Sequence, residues 1–265
     1  MSICEIYNDD CLERMKLIPD DSIDMILTDP PYELNNWTNP MQWDKVLELN
    51  SIWRQIERIS KYGIAICLFG NEPYSTTQRN SNPSLFKYDI IWVKNKVTGP
   101  MNAKVKPLKS YEIISVFSTG KTSPGREGNM KYYPQGLIKI DKMHKASATK
   151  KSRSVVQERK STNKDYVQEY TNYPKDVVFF DCESGYHPTQ KPVLLLEYLI
   201  KTYTKKGETV LDFTMGSGST GVAAKRCGRN FIGIEKDVNF FDIAKKRIDE
   251  KMCSLEDFFE WRVRY

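Results

Sequence analysis

Histidine is almost missing from this chain, with two residues in 265, which removes a histidine-rich metal centre from consideration. The six cysteines (Cys4, Cys11, Cys67, Cys182, Cys227 and Cys253) are widely scattered and form no CxxC pair. Their spacing matches neither a zinc site nor the disulfide framework of a small secreted domain. They are expected as small buried apolar groups, and no metal is expected. No apolar run approaches the roughly 20 residues that span a bilayer. The opening segment, MSICEIYNDD, is acidic and lacks the apolar heart of a signal peptide. No internal repeat is apparent. These absences lead us to expect a cytoplasmic chain with no membrane partner.

What is present suffices for one sizeable core: 40% of the residues are hydrophobic and 12% aromatic. Six short runs read as strands: IDMILTD (23–29), GIAICLFG (63–70), YDIIWVK (88–94), YEIISVFS (111–118), TVLDFT (209–214) and FIGIE (231–235). Most are continuously apolar rather than alternating, the pattern of strands covered on both faces. PVLLLEYLIKTY places Leu195, Leu196, Leu199, Ile200 and Tyr203 on one helical face. STGVAAKRCG and VNFFDIAKKRIDEKM read as two further helices, the first stopped by Gly228. Strands alternating with helices predict an α/β fold with a doubly wound, mostly parallel sheet.

Residues 120–176 break this rhythm. They are polar and basic, with SPGREG and YYPQG as turn signals. From Lys121 to Lys175 there are 13 Lys and Arg against 5 Asp and Glu, an excess larger than the +6 of the whole chain. We expect an insertion that does not extend the main sheet and whose charge suits a polyanion. A solvated loop is the plain alternative. Lys150, Lys151 and Arg153 are the residues assigned to that polyanion contact.

Near the C-terminus, in TVLDFTMGSGSTGVAAKRCGRNFIGIEKD, a strand ends at Asp212–Thr214 and a turn containing Gly216, Gly218 and Gly221 runs into a helix. The next strand ends at Glu235, 19 residues beyond Gly216. This is the layout of a nucleoside-cofactor site. Glycines admit a ligand close to the backbone, and an acid closing the second strand can hold ribose hydroxyls. The same glycines spell G-x-G-x-x-G, so a nicotinamide or flavin dinucleotide is a rival. Asp212 weighs against it, because a carboxylate facing a pyrophosphate is repelled. S-adenosylmethionine, with a cationic amino-acid tail and no phosphate, suits it better. Upstream, Thr189 and Gln190 in GYHPTQKPVLLLEYLI are placed to meet a cofactor carboxylate at the start of a helix. The bland reading is a helix N-cap with proline in its first turn.

MILTDPPYEL (25–34) puts Asp29 at the C-terminal edge of a strand, where the ligands of open α/β sheets sit. Pro30 and Pro31 cannot donate backbone hydrogen bonds and hold the chain extended. The Asp29 carboxylate and the Pro30 carbonyl can accept the two N–H bonds of an exocyclic nucleobase amine, directing its lone pair outward. Tyr32 offers a face on which the base stacks. A sulfonium methyl then needs only in-line alignment. Such an amine is unreachable inside a duplex, so the base must be rotated out of the stack. For four residues alone, an ordinary turn after a strand is the plain alternative. The assignment requires Asp29 and Gly216, 187 positions apart, to share one crevice.

With these segments together, the sequence resembles the amino-methyltransferases that modify adenine N6 or cytosine N4 in DNA. NDDCLERMKLIPDDSIDMILTDPPY is similar to their catalytic segment, and HPTQKPVLLLEYLI followed by VLDFTMGSGSTGVAAKRCGRNFIGIEKD to their cofactor-binding half. The order of the two is that of the β class. The resemblance covers 5–35 and 185–245 closely and 63–118 loosely. It implies a Rossmann-like methyltransferase fold with a catalytic half (1–119), an inserted target-recognition region (120–180) and a cofactor-binding half (181–265).

By the same resemblance, Asp29, Pro30, Pro31 and Tyr32 carry catalysis. Thr189, Gln190, Lys191, Pro192, Asp212, Phe213, Thr214, Gly216, Gly218, Ser219, Thr220 and Glu235 bind S-adenosylmethionine. One departure stands out: family members often have phenylalanine two residues before the first glycine, where this chain has Thr214, with Phe213 one earlier. Aspartate rather than serine at position 29 leans toward adenine. The implied activity is site-specific methylation of adenine N6 in double-stranded DNA. Methylation of cytosine N4, and a non-catalytic DNA-binding module with a vestigial cofactor pocket, stand as alternatives. The implied partners are double-stranded DNA, a second copy of the chain and a cognate restriction endonuclease, with association to the nucleoid through DNA.

Overall fold

The computed structural model describes residues 2–31, 47–125, 127–145, 165–183, 185 and 190–250. In chain order the elements are β1 (Cys4–Asn8), α1 (Cys11–Met15), β2 (Ile23–Thr28), α2 (Leu49–Ile59), β3 (Ser60–Gly70), α3 (Tyr74–Ser81), β4 (Phe86–Thr98) and β5 (Lys109–Phe117). They continue with β6 (Ile138–His144), β7 (Tyr166–Thr171), β8 (Val177–Phe179), α4 (Val193–Tyr203), β9 (Thr209–Asp212), α5 (Ser219–Arg226), β10 (Asn230–Glu235) and α6 (Val238–Asp249). Among the described residues no helix is long and apolar enough to cross a membrane.

One sheet has the order β1-β10-β9-β2-β3-β5-β4-β8. Every neighbouring pair is parallel except the two that involve β5. The expected α/β, mostly parallel arrangement is therefore the observed one, with a single reversed strand. That reversal follows from length: the link between β4 and β5 is too short for a crossover helix, so the two strands return as a hairpin. The sheet also gains β1, whose short alternating pattern carries little signal, and the three-residue edge strand β8.

Successive residues of β2 serve opposite faces, as strand geometry requires. Met25 and Leu27 pack into a core with Leu195, Leu196, Leu199 and Ile200 of α4 and Ala223 of α5. Ile26 packs on the other side with Met15 of α1 and Ile52, Trp53, Ile56 and Ile59 of α2. Helices thus cover both faces, which explains why the strand runs are continuously apolar.

The chain divides into two compact units, Met1–Tyr133 with Asp176–Tyr265, and Pro134–Lys175. Of the segment expected as an insertion (120–180), residues 120–133 group with the first unit for a definite reason. Lys131 forms ion pairs with the buried Asp24 (2.9 Å) and with Glu208 (2.7 Å). Its backbone N–H donates to the Gly63 carbonyl (2.8 Å), and that of Tyr133 to the Thr202 carbonyl (2.7 Å). Asp176 returns the chain to the first unit by accepting from the Ile91 N–H at 2.7 Å, after which β8 pairs with β4. The second unit is an antiparallel β6–β7 ladder in which His144 stacks on Tyr166 with ring centroids 4.9 Å apart.

The seam at Gly120 is tight, since a Cβ there would lie 2.5 Å from the Met130 backbone nitrogen and 2.6 Å from its Cα. Backbone cannot swing aside as a side-chain tip can. Gly120→Ala is expected to cost about 1–3 kcal/mol, read as a fall of several degrees in Tm by thermal unfolding. An unchanged Tm would show that this seam yields freely.

Candidate active site

The parallel pairing of β2 with β9, in the register Met25↔Val210 and Ile26↔Leu211, delivers the ends of both strands to the same edge of the sheet. There the Thr28 hydroxyl donates to Asp212 Oδ1 at 2.7 Å and lies 2.6 Å from the Thr214 hydroxyl. The Thr214 hydroxyl in turn lies 3.2 Å from the Asp29 carbonyl. Asp29 and the segment leading into the glycine turn, distant in the sequence, thus meet at one edge of the sheet.

Asp29 is held from the far side by Lys191, whose ammonium donates to Oδ2. The same ammonium lies 3.4 Å from Glu112 Oε2 and 5.2 Å from the centroid of the Phe69 ring. Glu112 Oε1 receives Lys94. The other oxygen of Asp29, Oδ1, is shielded from solvent and has no hydrogen-bond partner among the described residues. Burial pushes the Asp29 carboxyl up, Lys191 pulls it down, and Glu112 adds to the upward push. At Glu112 burial also acts upward, but Lys191 and Lys94 outweigh it and leave this acid below its ordinary value.

Asp212 is a different kind of acid. It is buried and accepts from the hydroxyl of Thr28 and the backbone of Thr214 (3.2 Å), with the Thr220 hydroxyl as a further donor. Burial nevertheless pushes its carboxyl up to about 6. Glu235 closes the glycine turn: Oε2 accepts from the Gly216 N–H at 2.8 Å and Oε1 from the Asp237 N–H at 2.8 Å. Burial raises its pKa as well. Gly218 has φ 78°, and a Cβ there would sit 2.8 Å from that of Ala244, so this glycine lets α5 start directly against α6. Ser219 lies beside it, with its hydroxyl 3.2 Å from the Arg247 guanidinium.

Several sequence assignments change. Phe213 is buried in the core beside Leu211, Ile234 and Trp53 rather than in the crevice. The side chain at its neighbour Thr214 is the one that faces Asp29. Gln190, expected to meet a cofactor carboxylate, donates from Nε2 to Glu183 Oε2 at 3.2 Å. Glu183 Oε1 accepts from the Val193 N–H at 3.0 Å, so an acid of the chain itself caps α4 immediately after Pro192. Lys191, assigned to the cofactor, has its ammonium on Asp29. Pro30 is buried and Pro31 half-buried at the crevice edge. Tyr32, Thr189, Lys150, Lys151 and Arg153 lie outside the described residues.

Sequence reasoning passed over Thr28, Glu112, Lys94 and Glu183. For Glu112 a signal existed, a lone acid directly before the mostly apolar stretch 113–117 of β5.

A mostly parallel sheet, covered by helices and with a glycine turn and a carboxylate arm at one edge, fits the Rossmann-like methyltransferase fold. The family model for N6 and N4 methyltransferases, described as DNA methylase, matches residues 23–246, and the chain belongs to that family. Type II methyltransferase M2.MboI of Moraxella bovis is 26% identical over 277 residues, covering 98% of this chain and 92% of that protein. Type II methyltransferase M.HinfI of Haemophilus influenzae is 28% identical over 269 residues, covering 92% of this chain and 68% of that one.

Among solved structures, the cytosine-N4-specific PvuII DNA methyltransferase superposes with a TM-score of 0.65 at 17% identity, covering 96% of this chain and 89% of that chain. The M1.HpyAVI–SAM complex does so with a TM-score of 0.61 at 24% identity, covering 93% and 100%.

Because Asp212 holds its proton more tightly when folded than the roughly 3.9 of a free aspartate, its contribution to stability falls as pH rises from about 4 and levels off above about 6. Asp212→Asn carries no charge to bury. Its Tm relative to wild type is expected to rise between pH 4 and pH 7 by the equivalent of about 2–3 kcal/mol. A difference that stays flat across that range would remove Asp212 from this role.

Proposed function

We propose that this chain transfers the methyl group of S-adenosylmethionine to the N6 amino group of adenine in double-stranded DNA, acting on a base turned out of the helix. The observation that carries the reading is the unpartnered Oδ1 of Asp29, a shielded acceptor at the end of β2, beside the glycine turn. A buried acceptor without a donor is costly in a folded protein, and an amine arriving from a substrate supplies the missing N–H.

The residues of the turn suit the proposed cofactor. Asp212, whose carboxyl is raised by burial, becomes a better anion beside a cationic ammonium, and Glu235 ends β10 at the place of a ribose-binding acid. When bound, S-adenosylmethionine supplies a sulfonium methyl that a nitrogen lone pair can take, with the electron pair of the C–S bond left on sulfur. Asp29 Oδ1 and the Pro30 carbonyl accept the two N–H bonds, turn the lone pair toward the methyl and shield it from water. Asp29 then takes the proton that the methylated nitrogen gives up. Tyr32 stacks on the extruded base. Aspartate at position 29 is a stronger acceptor than serine, which serves either amino group; the lean toward adenine comes from the family resemblance.

For the DNA, the described residues offer the β4–β5 hairpin at the same edge of the sheet. Lys94, Lys96, Lys104, Lys106 and Lys109 lie on it, with no acidic residue from position 94 to 111. Met101 at its turn is 98% exposed. Lysines so arranged fit a phosphate backbone.

Purified protein is expected to move a labelled methyl from S-adenosylmethionine to duplex DNA, and digestion of the product to release N6-methyladenine. Release of N4-methylcytosine would replace the adenine reading. Asp29→Asn is expected to abolish transfer and keep cofactor binding; a variant as active as wild type would remove Asp29 from catalysis. Replacing Lys96, Lys104 and Lys106 together by glutamine should flatten the dependence of DNA affinity on salt by about 0.9 log unit per lost phosphate contact. An unaltered slope would take the hairpin off the DNA.

A further inference from the structure

Four charges of alternating sign run inward from the hairpin: Lys94 on β4, Glu112 on β5, Lys191 ahead of α4 and Asp29 at the end of β2. Lys94 and Glu112 are in direct contact, Glu112 and Lys191 lie 3.4 Å apart, and Lys191 touches Asp29. Their side chains are only 12%, 11%, 7% and 22% exposed, respectively. Burying ions in this way is costly, and apolar side chains of similar volume often fold as well or better. The arrangement is also directional. Lys191 engages Oδ2, and among the described residues nothing donates to Oδ1, so its lone pairs are left for something else.

We propose that Glu112, backed by Lys94, is a positioning residue that sets how strongly Lys191 charges and orients Asp29, and so fixes the pH above which the amine acceptor is available. The proposal rests on Asp29 being that acceptor. Lys191 and Glu112 act on Asp29 with opposite signs. The ammonium favours the carboxylate, while the second carboxylate, 3.4 Å beyond the ammonium, competes for it and repels Asp29.

The other groups facing Asp29 do not reverse this. Tyr74 of α3 is pushed up to about 12 by burial, with Asp29 adding to the shift, and stays neutral. Asp212 of β9 is a second acid that Asp29 raises. Lys94 adds a weaker attraction. Lys109 faces Glu112 from the far side of the chain of charges.

Opposite signs make the test sharp. With aspartate side chains labelled by ¹³C at the carboxyl, and the Asp29 signal identified by its loss in Asp29→Asn, titration by NMR is expected to move up by about 1–3 pH units in Lys191→Gln. In Glu112→Gln it is expected to move down, and in Lys191→Arg to stay near wild type. The acid limb of single-turnover methyl transfer should move in the same directions. Movement of both variants the same way, or of neither, overturns the proposal. Should Lys191→Gln fail to fold, the sign of the shift in Glu112→Gln decides alone. Retained transfer by Asp29→Asn would instead overturn the catalytic reading, while the two titrations would still judge the chain of charges.

Discussion

Everything at the crevice depends on β2 and β9 lying side by side in parallel. Their pairing spans only a few residues, yet it joins a segment near the start of the chain to one near the end and fixes which side chains meet. Thr28, the last residue of β2, is buried and bonds both to Asp212, the last residue of β9, and to Thr214 just beyond it. Shifting either strand by one residue would turn every side chain to the opposite face. Asp29 would then leave the crevice, and the apolar side chains on both faces would be displaced. Core packing and site geometry are therefore held by one register.

The acids at this edge do different work because their surroundings differ. Asp212 is surrounded by neutral donors, and burial holds its carboxyl above the ordinary aspartate value. Asp29 is equally shielded at one oxygen but has an ammonium at the other. Glu235 is satisfied by two backbone N–H groups and holds the turn that separates β9 from α5. Asp29 and Asp212 are close enough for one carboxylate to disfavour ionisation of the other, and each of the three acids has a different kind of partner.

Much of this could be read from the residues alone. Continuous apolar runs marked the buried strands, and the residues that end β2 and β9 were placed correctly by the rule that ligands gather at the C-terminal edge of a parallel sheet. Other features needed coordinates. Phe213 and Thr214 are adjacent and so face opposite ways. Their assignment required knowing that Leu211 and Phe213 share one side of the sheet, a period-two argument that the glycine motif overshadowed. The ion pairs of Lys191 join it to Asp29 at the end of β2 and to Glu112 on β5, and no local pattern encodes such a meeting. Glu183, capping α4 from outside the helix, is hidden for the same reason. The short strand β1 has no fully buried residue and leaves almost no trace in hydropathy.

The two places where the chain leaves and re-enters the larger unit also have a meaning for how such a protein diversifies. Tyr133 and Asp176 are each pinned by a backbone hydrogen bond to an element of the main sheet or its helices. Backbone anchors do not care which side chains come between them. Whatever lies from Pro134 to Lys175 can be exchanged, lengthened or shortened with the seams kept intact.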